Sequence, residues 1–184
     1  MTWSEKEKIR KFRFFAVWRE GKEAHWLQSM SAKGWHLKHV SFLSYVFEKG
    51  NPEDYTYALD FRIEVSTDMQ EYLALIEDSG WQHIGCMGGW QYFRIATDMA
   101  DGARIYSDVE SLLGKYWRVL GVLCLSSLPL FTLFLTGSLN RPGLTETPLI
   151  YLIYTIATLL GYSILRMLVL ILRKRNQITW SRTP

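Results

Sequence analysis

Two long apolar runs near the end of the chain decide most of what it can become. Residues 117–135 read WRVLGVLCLSSLPLFTLFL and residues 149–172 read LIYLIYTIATLLGYSILRMLVLIL. A helix needs about 20 mostly apolar residues to cross a bilayer core, and each run supplies them. The stretch between them is short and rich in Gly, Pro, Ser, Thr and Asn. The expected arrangement is an antiparallel pair of membrane helices over 117–136 and 149–172, joined by an extracytoplasmic loop at 137–148. Lys115 and Arg118 open the first run, and Arg173, Lys174, Arg175 and Arg182 follow the second. The loop holds only Arg141, offset by Glu146. The positive-inside rule then puts both termini, including the basic tail at 173–184, in the cytoplasm.

Arg166 falls inside the second run. A charge at the bilayer centre costs roughly 2.5–3.5 kcal/mol on insertion scales. Arg166 is about two helical turns, roughly 10 Å, from Arg173. Its side chain can therefore snorkel to the headgroups. The functional alternative is an intramembrane contact with a partner helix or a lipid phosphate.

The part before residue 117 is of a size for one small domain. The formal net charge of the chain is +3, and much of the excess lies at the membrane flanks. That favours membrane lipid over nucleic acid as the partner of these charges. Cys86 and Cys124 are the only cysteines. One belongs to the soluble part and the other to an apolar run, so no disulfide is expected. The opening MTWSEKEKIRKFRFF has basic residues but no apolar run behind it, which argues against a signal peptide.

Residues 1–9 read as a polar tail. Residues 10–18, RKFRFFAVW, alternate as a strand would. A helix is expected from Glu20 to Lys33, with Trp26, Leu27 and Met30 on its apolar face and Gly34 as its stop. Trp35–Val40 and Phe42–Glu48 read as one bulged strand or as a hairpin near Ser41. Residues 50–53, GNPE, are a turn. Tyr55–Glu64 alternates strictly, with Tyr55, Tyr57, Leu59, Phe61 and Ile63 on one face and Thr56, Ala58, Asp60, Arg62 and Glu64 on the other. A second helix follows over Asp68–Ser79, with Thr67 and Gln70 as a capping box and Met69, Tyr72, Leu73 and Ile76 as its stripe. Gly80 stops it. Trp81–Cys86 and Trp90–Ile95 read as strands around Gly88–Gly89.

The two halves repeat. WLQSMSAKGW at 26–35 aligns without a gap on YLALIEDSGW at 72–81. Taken as two tandem βαβ units over 10–96, this is a βαββαβ order. It predicts an α+β, ferredoxin-like cytoplasmic domain with both helices on one face of an antiparallel sheet and the other face open. Residues 97–116 are a linker and an amphipathic helix, capped by Ser107 and Glu110, that continues into the first membrane helix.

The residues also carry a resemblance. The W26LxxMxxKGW35 element, the following F47EKGxPEDYxYxLDF61, the second helix with Y72LxLxExxGW81 and the closing GW90xYFR94 resemble the domain-of-unknown-function family 2812 over about residues 10–96. The resemblance implies a small membrane protein of a Gram-positive bacterium, often encoded beside a PadR-type transcriptional regulator. It supplies no activity and no catalytic residue.

No chemistry-bearing motif stands out. His36 and His39 are three apart, as are His83 and Cys86. On strands that spacing points to opposite faces, so no metal site is expected. Glu53, Asp54 and Asp60 are the nearest approach to a carboxylate cluster. The first two belong to a turn, and Asp60 can pair with Arg62. There is no phosphate-binding, dinucleotide-binding or nucleophile-elbow motif and no C-x-x-C. No cofactor and no catalytic residue are therefore expected, and the chain reads as non-enzymatic. Lys11, Arg13 and Arg62 among aromatics are what RNA-binding sheets of this fold present, but their octapeptide signature is missing, so no direct nucleic-acid contact is expected. Trp35 and Trp81 are expected to pack under the helix ends. Trp90, Tyr92 and Arg94 share one face of the last strand. With Arg62, they are the candidate partner-binding residues, as an exposed aromatic–Arg group is typical of an interface. Arg166 is the candidate intramembrane contact.

The expected function is that of a regulatory or interaction module anchored in a bacterial plasma membrane by two spans. Its cytoplasmic domain would bind a protein, a PadR-type regulator being the first candidate, or a second copy as a homodimer. The alternatives are an accessory subunit of a membrane transporter complex and a small-molecule sensor with a pocket between sheet and helices.

Overall fold

In the computed structural model, residues 7–63, 68–100, 109–135 and 148–181 are described. Two units separate, the first over Met1–Ser107 and the second over Asp108–Pro184.

The first unit is built twice from the same plan. Strand β1 (Lys8–Phe12), helix α1 (Glu20–Ser31), β2 (Trp35–Ser41) and β3 (Ser44–Lys49) form the first repeat. Strand β4 (Tyr55–Phe61), helix α2 (Asp68–Asp78), β5 (Gln82–Met87) and β6 (Trp90–Ala96) form the second. Each repeat makes a three-stranded antiparallel sheet, in the order β1-β3-β2 and β4-β6-β5. The repeating unit is thus βαββ rather than βαβ. The described strands form two three-stranded sheets, not the single sheet expected of a βαββαβ chain. The difference arises at Ser41, which pairs with Ser44 across Phe42–Leu43. Of the two readings for this stretch, the hairpin near Ser41 is the one the structure shows, as β2 and β3.

The likeness of the repeats reaches the backbone. The β2–β3 ladder slips between Leu37 and His39, and the β5–β6 ladder slips between His83 and Gly85, 46 residues further on in each case. The slip lets Leu37 and Val40, three apart, both be buried, which simple alternation forbids. The Arg13 N–H donates to the Leu43 carbonyl, and the Arg62 N–H donates to the Gly89 carbonyl. The guanidinium of Arg13 lies 5.1 Å from the ring centre of Trp26, and that of Arg62 lies 4.1 Å from that of Tyr72, the matching helix position.

β1 is shorter than the expected 10–18 strand. Its partner β3 begins at Ser44, opposite Phe12, so the ladder has nothing to hold beyond that point. The chain then turns through a short 3-10 segment at Val17–Arg19. β4 likewise ends at Phe61, and Ile63 is exposed rather than part of the buried face. Asp60, expected on the wet face, is buried and accepts a 2.6 Å bond from the Tyr72 hydroxyl.

Neither repeat fills a core alone. Leu27, Leu37, Val40 and Phe47 of the first pack with Tyr57, Leu59 and Tyr92 of the second in one cluster. α1 lies against β4, and β2 approaches β5 to within 8 Å. A buried 2.7 Å bond between the hydroxyls of Ser31 and Tyr57 ties helix to strand across the repeats. Trp81 is buried in a second cluster with Ile76, Phe93 and Ile95, whereas Trp35 is half-buried at the edge of the first.

The second unit is a pair of helices, α3 (Val109–Leu135) and α4 (Pro148–Ser181). Both are long and apolar enough to cross a membrane, over Leu113–Phe134 and Pro148–Arg175, with mean hydropathy of 1.6 and 2.0. In the most apolar 18-residue stretch of each, only 11% is buried, the reverse of a core helix. Thr132, Thr155, Thr158 and Ser163 each donate to the carbonyl four residues back. α3 and α4 pack on each other, with Tyr116, Val119 and Leu120 of one and Met167 and Ile171 of the other buried. The expected caps at Thr67 and Ser107 and the loop at 137–147 lie outside the described residues.

The helix stops test the repeat. Gly34 and Gly80 both have positive φ, 79° and 89°. A Cβ on Gly34 would stand 2.6 Å from the Gly50 carbonyl oxygen, but one on Gly80 meets only a side-chain methyl of Ile95 at 3.5 Å. Gly80→Ala is expected to lose about 1–2 kcal/mol from backbone strain alone. Gly34→Ala should lose more, as a lower denaturation midpoint in chemical unfolding would show.

Candidate functional site

Helix α1 places a carboxylate where its apolar stripe should continue. Its buried residues are Glu23, Leu27, Met30 and Ser31, the spacing of one helical face. In the second repeat the place of Glu23 belongs to Met69, which is also buried. A buried carboxylate needs partners, and two tyrosines supply them. Tyr45 on β3 donates to Glu23 Oε1 at 2.8 Å, and Tyr92 on β6 donates to the same oxygen at 2.7 Å. Among the described residues no hydrogen bond falls on Oε2.

Burial pushes the Glu23 carboxyl above its ordinary value. The hydrogen bonds from Tyr92 and Tyr45 act the other way, and neighbouring Glu20 adds to the rise. Tyr45 and Tyr92 are themselves pushed up, first by burial and then by the charge of Glu23. Both therefore remain protonated donors. The group lies beneath a cavity of about 210 Å³. Phe15, Tyr45, Leu59, Met87, Trp90 and Tyr92 contribute to its apolar lining, with Glu20 and Glu23 as its acids and Arg13 as its cation. For scale, a dry cavity of about 150 Å³ holds one benzene ring.

The residues singled out from the sequence divide here. Trp90 and Tyr92 both line the cavity. They are not an exposed interface pair, for Tyr92 is only 1% exposed. Arg94 lies in a separate, polar cleft of about 480 Å³ with His36, Lys49 and Tyr55. Its Nε donates to Gln82 Oε1 at 2.8 Å, and its guanidinium lies 4.6 Å from the centre of the Tyr55 ring. Tyr55 is pushed up by its hydrogen bond with Glu53 and by burial. Arg62 stacks on Tyr72, away from either cavity. Arg166 is half-buried on α4 beside Met167. Two of the four histidines are engaged elsewhere: His36 Nε2 bonds to the Asn51 carbonyl, and His83 Nε2 bonds to Gln91 Oε1. Among the described residues no three His, Cys, Asp or Glu side chains converge.

Glu23, Tyr45, Glu20 and Arg13 were not singled out as site residues. The signal for Glu23 was present, because the repeat alignment sets it opposite an apolar Met. Tyr45 and Tyr92 are brought together only by tertiary pairing of the two sheets. What the group offers is one carboxyl with an oxygen to spare, two fixed hydroxyls and aromatic walls.

Taken together, a doubled βαββ unit with an aromatic pocket, continued by two long apolar helices, defines a class of small α+β proteins with an apolar helical tail. Within that class, this chain belongs to the family described as protein of unknown function DUF2812, whose model matches residues 19–128. The match omits β1 and reaches into α3, so the family pattern spans both the doubled unit and the first apolar helix. No curated protein and no solved structure matches the chain.

The buried carboxyl makes a pH prediction. A carboxyl raised in the folded state stabilises the fold fully below its unfolded value, near 4.5, and loses that contribution as pH rises through the folded value. Glu23→Gln is neutral throughout. The unfolding temperature of the variant should gain on that of the natural protein as pH rises from 4.5 to neutrality, when both are followed by near-UV circular dichroism.

Proposed function

We propose that this protein is a membrane-anchored sensor of a bacterial plasma membrane. In this reading α3 and α4 span the bilayer and both termini lie in the cytoplasm. The α+β unit holds a small ligand in the Glu23 cavity and engages a protein partner, binding rather than transforming what it meets. The observation that carries the reading is the cavity itself. An aromatic recess over a carboxyl, inside a domain whose chain runs on into apolar helices, suits reception of a molecule near a membrane. The first candidate for the protein partner is a PadR-type transcriptional regulator, held or released according to the state of the cavity. A second copy of the chain is the other candidate.

A second reading rests on a different feature. The face between α3 and α4 leaves a groove of about 490 Å³ bordered by the small residues Cys124, Ser127, Ala157 and Gly161. Small residues are where a further membrane helix packs closely. An accessory subunit of a transporter complex would use that groove, with Arg166 as a contact.

Alkaline carbonate washing should leave the protein in the membrane pellet, and its release would overturn the anchor. Affinity capture from native membranes then separates the two readings. Full-length bait that retains a transcription regulator, where residues 105–184 do not, supports the sensor. Retention of integral membrane proteins by residues 105–184 alone supports the accessory subunit.

A further inference from the structure

The two repeats differ most at one turn. In the second repeat the hairpin tip is Gly88–Gly89, with φ of 57° and 86°. The first repeat has Phe42 and Leu43 at the same two places, and Leu43 has φ 61°. That region is open to glycine and strained for a branched apolar side chain. Burial does not offset the strain, since Phe42 is 76% and Leu43 40% exposed, and with Phe14 they line the outer part of the Glu23 cavity. Beside them, at the end of β1, Phe12 and Phe14 are 76% and 72% exposed. The Arg13 N–H bonded to the Leu43 carbonyl at 3.1 Å fixes the two segments side by side. Four large apolar side chains at one tip are not an ordinary solvated surface.

The strand leading to the tip is strongly cationic, and the acids beside it, Glu20 and Glu23, belong to the adjoining cavity. Residues 8–19 read KIRKFRFFAVWR, five cations and no acid. Lys8, Arg10, Lys11 and Arg13 are exposed, as is Lys38 on β2. Phenylalanines within a collar of Lys and Arg match the boundary of an anionic bilayer, where rings enter the headgroup layer and cations meet phosphates. The membrane is within the same chain if α3 and α4 span it, so the inference rests on the anchor reading above.

We propose that the tip formed by Phe12, Phe14, Phe42 and Leu43 docks on the anionic lipid surface of the membrane that holds α3 and α4. The α+β unit is then attached twice, through its chain and through this tip. Its orientation over the bilayer is thereby fixed.

The test uses the full chain with Cys86→Ser and Cys124→Ser and one new thiol at Ser41→Cys, next to the tip. The thiol carries an environment-sensitive dye. The protein is reconstituted in phosphatidylcholine vesicles with or without phosphatidylglycerol, together with lipid spin-labelled near the headgroup. Dye at position 41 should be quenched strongly in anionic vesicles. A dye at Lys33→Cys, in the turn after α1, should be quenched little. The quenching should fall in neutral vesicles and in high salt, which screens the cations. Phe42→Gly with Leu43→Gly copies the second repeat's tip. This double variant should keep or raise the unfolding temperature and lose quenching to the Lys33 level. Quenching at 41 no greater than at 33 in anionic vesicles would overturn the proposal. So would energy transfer between labelled copies in place of lipid quenching, which would show the tip covered by protein. Release of the chain by alkaline carbonate is a separate result that strikes the anchor reading instead.

Discussion

One carboxylate oxygen is hydrogen-bonded to both halves of this domain. Glu23 Oε1 takes a bond from Tyr45 in the first sheet and another from Tyr92 in the second. The helix that carries Glu23 therefore cannot shift without breaking a contact to each sheet. Charged acceptors strengthen such bonds, and the low polarity around them raises the cost of leaving one unmade. The apolar cluster of Leu27, Phe47, Leu59 and Tyr92 does the bulk of the stabilising, but it is non-directional. The tyrosine–glutamate group gives it direction, and the cavity above is a by-product of seating a carboxylate where an apolar residue would have filled space.

The same arrangement explains what could be read from residues and what could not. Helix positions, the glycine stops and the doubled plan follow from local spacing, and the structure keeps them. The repeat even survives in the placement of a strand irregularity at Leu37–His39 and at His83–Gly85. The strands could be read, with the Phe42–Leu43 turn the least marked because it lacks the glycines that Gly88–Gly89 shows. Their grouping could not: two βαββ units in two sheets were taken for one βαββαβ sheet. Site residues fared unevenly for a similar reason. Trp90 and Tyr92 stood out as aromatics on one strand face, but only the packing of one repeat on the other turns that face inward. Arg94 and Arg62 stood out for their charge, and each is stacked on a tyrosine beside it.

The apolar helices show the opposite balance, since composition alone places them in the chain. The helices run further than the apolar runs, α3 from Val109 and α4 to Ser181. Helical geometry does not end where hydrophobicity does. The basic residues after Leu172 continue the same helix, and Lys174 comes within 5.8 Å of the Tyr116 ring centre on α3. The polar end of the pair is thus ordered by ring–cation contact, and its middle by apolar packing.

The bond between Tyr92 and Glu23 spans 69 residues, against 22 for Tyr45. Contacts of long sequence separation close late, since the loop entropy must be met before they contribute. The Tyr92 bond therefore carries the larger loop-closure cost of the two, and the cavity that Tyr92 lines depends on that closure.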